Sequence, residues 1–253
     1  MAKIIAVVNQ KGGVGKTTTA VNLTAALHAE GKRTLLCDFD PQANATSGFG
    51  VEKNKGLSVY DVLVGNASAR DAVVQTPYGD VLPSASGLAG AAVELIGMEN
   101  REFILKNALL SLEQDYDYIF IDCPPSLELL TLNALCAARS ILVPVQCEYY
   151  ALEGLSDLMA TLRAVKVRLN PDLHIYGVVL TMYDGRLNLS AQVAEEVRRH
   201  FPGKVFAAMI PRNVRLSEAP SHGLPVLAYD KYSRGAEAYR LLARECIGKE
   251  AHP

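Results

Sequence analysis

Several things are missing from this 253-residue chain, and each absence closes a class of protein. No apolar run approaches the roughly 20 residues that a bilayer span requires. Neither sign of charge dominates: 25 Lys and Arg stand against 27 Asp and Glu, for a formal net charge of -2. That balance argues against a wholesale basic surface for nucleic acid, although it leaves room for a local basic patch. Paired cysteines are also missing. The 5 cysteines, at positions 37, 123, 136, 147 and 246, form no CxxC pair, so free buried thiols in a reducing compartment are expected rather than a disulfide framework. The opening Met1-Ala2-Lys3 and the short apolar run after it lack the core and cleavage site of a signal peptide, which makes a cytoplasmic location the expectation. No compositional bias points to disorder or collagen. What is present is 49% hydrophobic sequence, and a globular chain of this length buries about three quarters of its unfolded surface. One domain over residues 1–253 is expected.

Aliphatic and β-branched runs recur at 4–9, 34–39, 80–83, 118–122, 140–145, 175–181 and 205–210. Most are apolar at successive positions, as strands covered on both faces must be. Segments with three- and four-residue apolar spacing lie between them, at 17–30, 126–138, 150–169, 190–201 and 235–247, with stops at Gly31, Pro171 and Pro202. Strand and helix in alternation predict an α/β fold, a doubly wound, mostly parallel sheet with helices on both faces. Residues 50–90 are the least regular and are expected to carry peripheral helices.

The first strand runs directly into Gln10-Lys11-Gly12-Gly13-Val14-Gly15-Lys16-Thr17-Thr18-Thr19 and then a helix. This is the context of a P-loop. Backbone N–H groups from Gly12 to Thr18 can turn around phosphate oxygens, and the helix N-terminus adds its positive end. Lys16 reaches the β- and γ-phosphates, and the Thr17 hydroxyl can ligate Mg²⁺. A P-loop NTPase using ATP and Mg²⁺ is therefore expected. The ordinary motif has glycine where this chain has Gln10, and a second lysine, Lys11, follows it; taken alone, Lys11 could be a solvated loop charge. Asp122, closing Tyr118-Ile119-Phe120-Ile121, suits the acid that holds Mg²⁺ from a neighbouring strand. Asp38 and Asp40 alternate at the end of another strand; spacing alone allows an acidic turn closed by Pro41. Two segments could floor a base pocket at the carboxyl ends of later strands, Thr181-Met182-Tyr183-Asp184 and Pro211-Arg212-Asn213.

The string Lys11-Gly12-Gly13-Val14-Gly15-Lys16-Thr17-Thr18 resembles the deviant Walker A motif of the family that includes ParA/Soj, MinD and the nitrogenase iron protein. Residues 40–48, 144–154 and 210–221 look like the small chromosome-partitioning ATPases ParA/Soj, and the resemblance extends over nearly the whole chain. It implies that Lys11 acts across an ATP-dependent homodimer, that Asp40 orients the attacking water, and that Asp38 lies near the Mg²⁺ shell. It also implies base contacts from Pro211 and Asn213, with Met182 beside the ring. Members of the group bind double-stranded DNA non-specifically in the ATP state. A ParB-like centromere-binding protein stimulates their hydrolysis, so nucleoid association in the ATP state is expected. Arg186, Arg198, Lys204, Arg212 and Arg215 are the candidate DNA contacts, although acids interrupt them and the arginines near 198 also suit a helix C-terminus. The 246–253 tail is too short and mixed in charge for a MinD-type membrane helix, an N-terminal DNA-reading domain before the P-loop is not expected, and Cys123 and Cys136 do not suit an iron–sulfur cluster. A small-molecule kinase or ATP-dependent ligase on the same scaffold is the alternative.

Overall fold

The structure is a computed structural model describing residues 1–251; the last two residues of the tail lie outside it. Six strands form one sheet: β1 (Lys3–Val7), β2 (Thr34–Asp38), β3 (Asp80–Leu82), β4 (Tyr118–Asp122), β5 (Ser140–Gln146) and β6 (His174–Thr181). Their order is β3-β2-β4-β1-β5-β6 and every pairing is parallel. Continuous apolar runs are needed because alternate residues enter two separate cores. Ile5, Val7, Leu36, Phe120, Leu142 and Val179 face the helices Lys16–Ala29 and Arg234–Ala251. Ile4, Ala6, Leu35, Ile119, Ile121 and Ile141 face the helices Ile104–Leu110, Leu129–Ala137 and Ala151–Arg168. Each fully buried Ile, Leu or Phe contributes about 1.5–3 kcal/mol of burial free energy, so both faces are strongly specified.

The strand order sets the site. β4 lies between β1 and β2, and its register pairs Asp122 with Val7 on one side and with Asp38 on the other. Two carboxylates and the loop leaving β1 thus meet at the carboxyl edge, where open α/β sheets hold ligands.

Two expectations need correction. Residues 205–210 do not form a seventh strand. They run extended beside β6, joined through isolated bridges at Val178–Val205 and Tyr183–Pro211. The reason is tertiary: the Glu245 carboxylate on the last helix accepts the N–H groups of Ala207 and Ala208, at 2.8 and 2.6 Å, and removes them from the ladder. The helix expected from Ser126 begins only at Leu129, after the Cys123-Pro124-Pro125 turn. The irregular region does carry short peripheral helices, Val59–Leu63, Ala69–Ala72 and Leu88–Leu95. All five cysteines are free and buried. Among the described residues no helix is long and apolar enough to cross a membrane.

Candidate nucleotide site

The loop after β1 has the backbone its glycines permit. Gly13 and Gly15 sit at φ +76° and +88°, in the left-handed region that side chains disfavour, and a Cβ on Gly12 or Gly13 would meet nothing within 4 Å. The space over the loop is therefore open to a phosphate chain. Its carbonyls are occupied elsewhere: Lys11 O accepts from Lys16 Nζ (3.1 Å), Val14 O from the Thr181 hydroxyl (2.8 Å) and Gly15 O from Thr19 N (2.9 Å). Asn9, at the end of β1, accepts the Lys11 N–H (3.0 Å) and donates to Pro144 O on β5 (2.8 Å). Thr17 and Thr18 are half-buried at the start of the helix.

Below the loop lie the acids. Asp122 is fully buried, and no hydrogen bond that satisfies distance and angle together reaches either of its carboxylate oxygens. Burial raises its pKa well above the usual carboxylate range, and the Asp38 carboxylate raises it further, while the Thr17 hydroxyl and Lys16 pull it down. Burial lowers the Lys16 pKa, with Asp122 the foremost opposing charge. A buried carboxylate with so little hydrogen bonding is costly, and a cation above it removes that cost. Asp38 is different. Its Oδ2 accepts the Thr46 N–H and hydroxyl, both at 2.6 Å, and its Oδ1 accepts the Asp40 N–H at 3.2 Å. Burial raises its pKa also, against those hydrogen bonds. Its bonds fix the turn that presents the half-buried Asp40, whose own Oδ1 accepts the Gln42 N–H at 2.9 Å.

The two lysines of the loop are placed differently. Lys16 is 7% exposed, over the acids. The Lys11 side chain is 33% exposed, ion-paired to Glu148 of the same chain and 5.9 Å from the Tyr150 ring centroid. Beside it Tyr149 and Tyr150 stand 75% and 64% exposed.

A recess of about 650 Å³ adjoins the loop, lined by Gly15, Thr18, Met182, Pro211, Asn213 and Tyr239 among others. That volume suits a small ligand. Met182 takes φ +51°, turning the chain sharply at the end of β6. The Asn213 carbonyl oxygen accepts the Arg215 N–H (3.0 Å) at the start of the short helix Val214–Glu218, so its amide NH₂ is left as a donor. All three residues expected near a base meet in one cavity.

The candidate DNA contacts do not form one patch. Arg212 lines the recess. Arg186 is held by Asp184 through two bonds (2.9 and 2.7 Å), and this pairing draws the Asp184 pKa down to about 2. Arg215 pairs with Glu218 (2.7 Å) and Asp230 (3.3 Å). Arg198, in the helix Asn188–His200, reaches the Met209 sulfur at 3.8 Å. Lys204 is at the other end of the segment beside β6, in a recess with Lys3, Arg139, His174 and Lys249. Seven residues, 205–211, separate it from Arg212 along β6, with the Val178–Val205 bridge near one end and the Tyr183–Pro211 bridge near the other.

Asn9, Glu148 and Tyr239, whose hydroxyl lies 3.2 Å from Thr19 Oγ1, belong to no motif that the sequence marks as a site, and Thr181 is marked only as the first residue of the 181–184 base-pocket segment. Asn9 and Thr181 share one readable signal, a polar residue closing an apolar strand; Glu148 and Tyr239 have none.

The site's chemistry fits a nucleoside triphosphate and Mg²⁺. The orphaned Asp122 oxygens and the Thr17 hydroxyl offer hard oxygen ligands, and the open loop offers amides for phosphate. Among the described residues no cluster of three or more His, Cys, Asp or Glu offers a self-contained metal cage. Fold and site together define a P-loop NTPase with a second lysine in its phosphate loop. A family model described as an AAA domain matches residues 2–175. The chain is 59% identical to the sporulation initiation inhibitor protein Soj of Bacillus subtilis over 97% of its own length and 98% of that protein. It is 52% identical to the chromosome partitioning protein ParA of Myxococcus xanthus, over 99% of this chain and 89% of that protein. Among solved structures, cobyrinic acid a,c-diamide synthase from Mycobacterium smegmatis with bound ADP and magnesium superposes with TM-score 0.87 at 39% identity, covering 100% of this chain and 96% of that one. The chain belongs to the ParA/Soj family of chromosome-partitioning ATPases.

Proposed function

We propose that this ATPase works as a DNA-bound clamp: it dimerises around ATP, holds double-stranded DNA without sequence preference in that state, and lets go when a ParB-like partner stimulates hydrolysis, so that replicated chromosomal or plasmid origins separate. The observation that carries the reading is the unequal placement of the two lysines. Buried Lys16 is committed to its own loop, whereas Lys11 is at the rim beside exposed tyrosines, where a second subunit's nucleotide can be reached. A cation supplied by a partner makes association depend on the triphosphate, as an arginine finger does.

Within one subunit, the amides of Gly12 to Thr18 and the Lys16 ammonium hold the phosphates. Thr17 and Asp122 would hold Mg²⁺, which would supply neutralisation of phosphate charge. Asp38 acts through its hydrogen bonds by setting the Asp40 turn, and Asp40 orients the attacking water. The base lies against Met182, Pro211 and Asn213. Arg186, Arg212 and Arg215, doubled by dimerisation, touch the DNA backbone; a two-fold surface turns a weak monomer patch into a useful one.

Sedimentation of wild type and Asp40→Ala with ATP, ADP or neither, with and without a plain DNA duplex, tests this. An ATP-only dimer that co-sediments with DNA is the expected result. A monomer in ATP, or DNA binding indifferent to nucleotide, overturns it. The similarity to a synthase favours a second reading, an ATP-dependent ligase, which predicts a ligated product in place of DNA-coupled phosphate release.

A further inference from the structure

The geometry points to Thr181 as a positioning residue that aims the Gly15 amide into the phosphate cradle, and so makes phosphate binding depend on the strand end that also floors the base pocket. This rests on the phosphate-site reading above. Thr181 closes β6 and is 3% exposed. Its own backbone is fixed: it pairs in register with Gln146 of β5, and its carbonyl accepts the Cys147 N–H at 3.2 Å. From this rigid base its hydroxyl donates to Val14 O at 2.8 Å, two strands away from β1.

The consequence follows from peptide geometry. The carbonyl of Val14 and the N–H of Gly15 belong to one planar trans peptide and point in opposite directions. Gly15 at φ +88° has no side chain to limit how this peptide rotates, so neither sterics nor the helix it begins fixes the N–H direction completely. Thr181 supplies the missing constraint: with the carbonyl held toward β6, the N–H is held away from β6, which on the phosphate-site reading is the phosphate side of the loop. A P-loop binds phosphate through such amides, and preorganised donors bind without the cost of reorientation. The methyl group of the same residue would lie 3.8 Å from a Cβ on Gly15, near enough to limit drift of the loop toward the sheet. The next residue, Met182, turns at φ +51° into the base recess. Seating a base against Met182 therefore bears on the residue that holds Val14.

The test measures calorimetric affinity for Mg-ADP and thermal midpoint in wild type, Thr181→Val and Thr181→Ser. Thr181→Val keeps the shape and removes the donor; it should weaken ADP binding about tenfold, the loss of one well-aimed hydrogen bond to a charged ligand. Thr181→Ser keeps the hydroxyl and should bind ADP within about twofold of wild type. A merely structural role would lower the midpoint of both variants without separating their affinities. If Thr181→Val does not fold, Thr181→Cys, a weak donor of similar size, should bind ADP about threefold or more weakly than wild type. In wild type, the Gly15 amide should gain hydrogen-exchange protection when ADP binds. Thr181→Val or Thr181→Cys binding ADP as tightly as wild type, Thr181→Ser binding as weakly as Thr181→Val, or a Gly15 amide indifferent to ADP overturns the assignment. Lys16→Ala separates the two levels: if it binds ADP like wild type, the phosphate-site reading itself fails.

Discussion

The phosphate loop with its acids and the arginine-bearing turns at 182–186 and 211–218 sit at the carboxyl end of the sheet but are built on opposite terms. In the first, polar groups are buried and fixed: Lys16 is 7% exposed, Asp38 takes three hydrogen bonds, and each loop carbonyl described above has one partner. In the second, charges are exposed and paired locally, Arg186 with Asp184 and Arg215 with Glu218. Buried groups with fixed directions suit chemistry, because they need no rearrangement when charge develops. Exposed pairs contribute little to stability and exchange partners at little cost, which suits the proposed hold on DNA and its release.

If the division is right, Lys16→Ala should cut kcat/KM for ATP by about a thousandfold, as loss of a buried charge donor does elsewhere; a loss under tenfold in a phosphate-release assay would move the phosphate site elsewhere. Asp40→Ala should slow turnover by about 10²–10⁴-fold while equilibrium ATP binding persists, and loss of binding would make Asp40 structural. Lys11→Ala sharpens the contrast from within the loop. It should bind one ATP per monomer yet give no dimer in ATP by light scattering, and a normal dimer would end the cross-subunit role. On the exposed side, Arg186→Ala combined with Arg215→Ala should lower DNA affinity roughly tenfold and reduce the log-log salt slope by about 0.9 for each lost phosphate contact per subunit. The smallest effect belongs to Lys204→Ala, set among other basic residues away from Arg212, which should change DNA affinity by less than about twofold.

How far the sequence could be read differs between these regions for a physical reason. The phosphate loop is contiguous, and its chemistry resides in backbone conformations that Gly13 and Gly15 announce directly. The strands were legible because two-sided burial demands unbroken apolar runs, and six of the seven expected runs pair. The seventh, 205–210, has a strand-like pattern, but a carboxylate from Glu245 takes its amides, and a contact across so many residues leaves no local mark. The basic residues near 186–215 look like one cluster in the chain; the extended run beside β6 carries Lys204 away from Arg212.

A near-balanced charge of -2, a phosphate loop with two lysines and a parallel α/β fold were written into the sequence, since each depends on composition or on neighbours within a few residues. Only the tertiary structure decided that Asp122 lies in register between Val7 and Asp38, that Glu148 holds Lys11, and that Thr181 holds Val14. These depend on strand order and register, which bring residues separated by more than a hundred positions within hydrogen-bond reach, and no local pattern encodes a partner so distant.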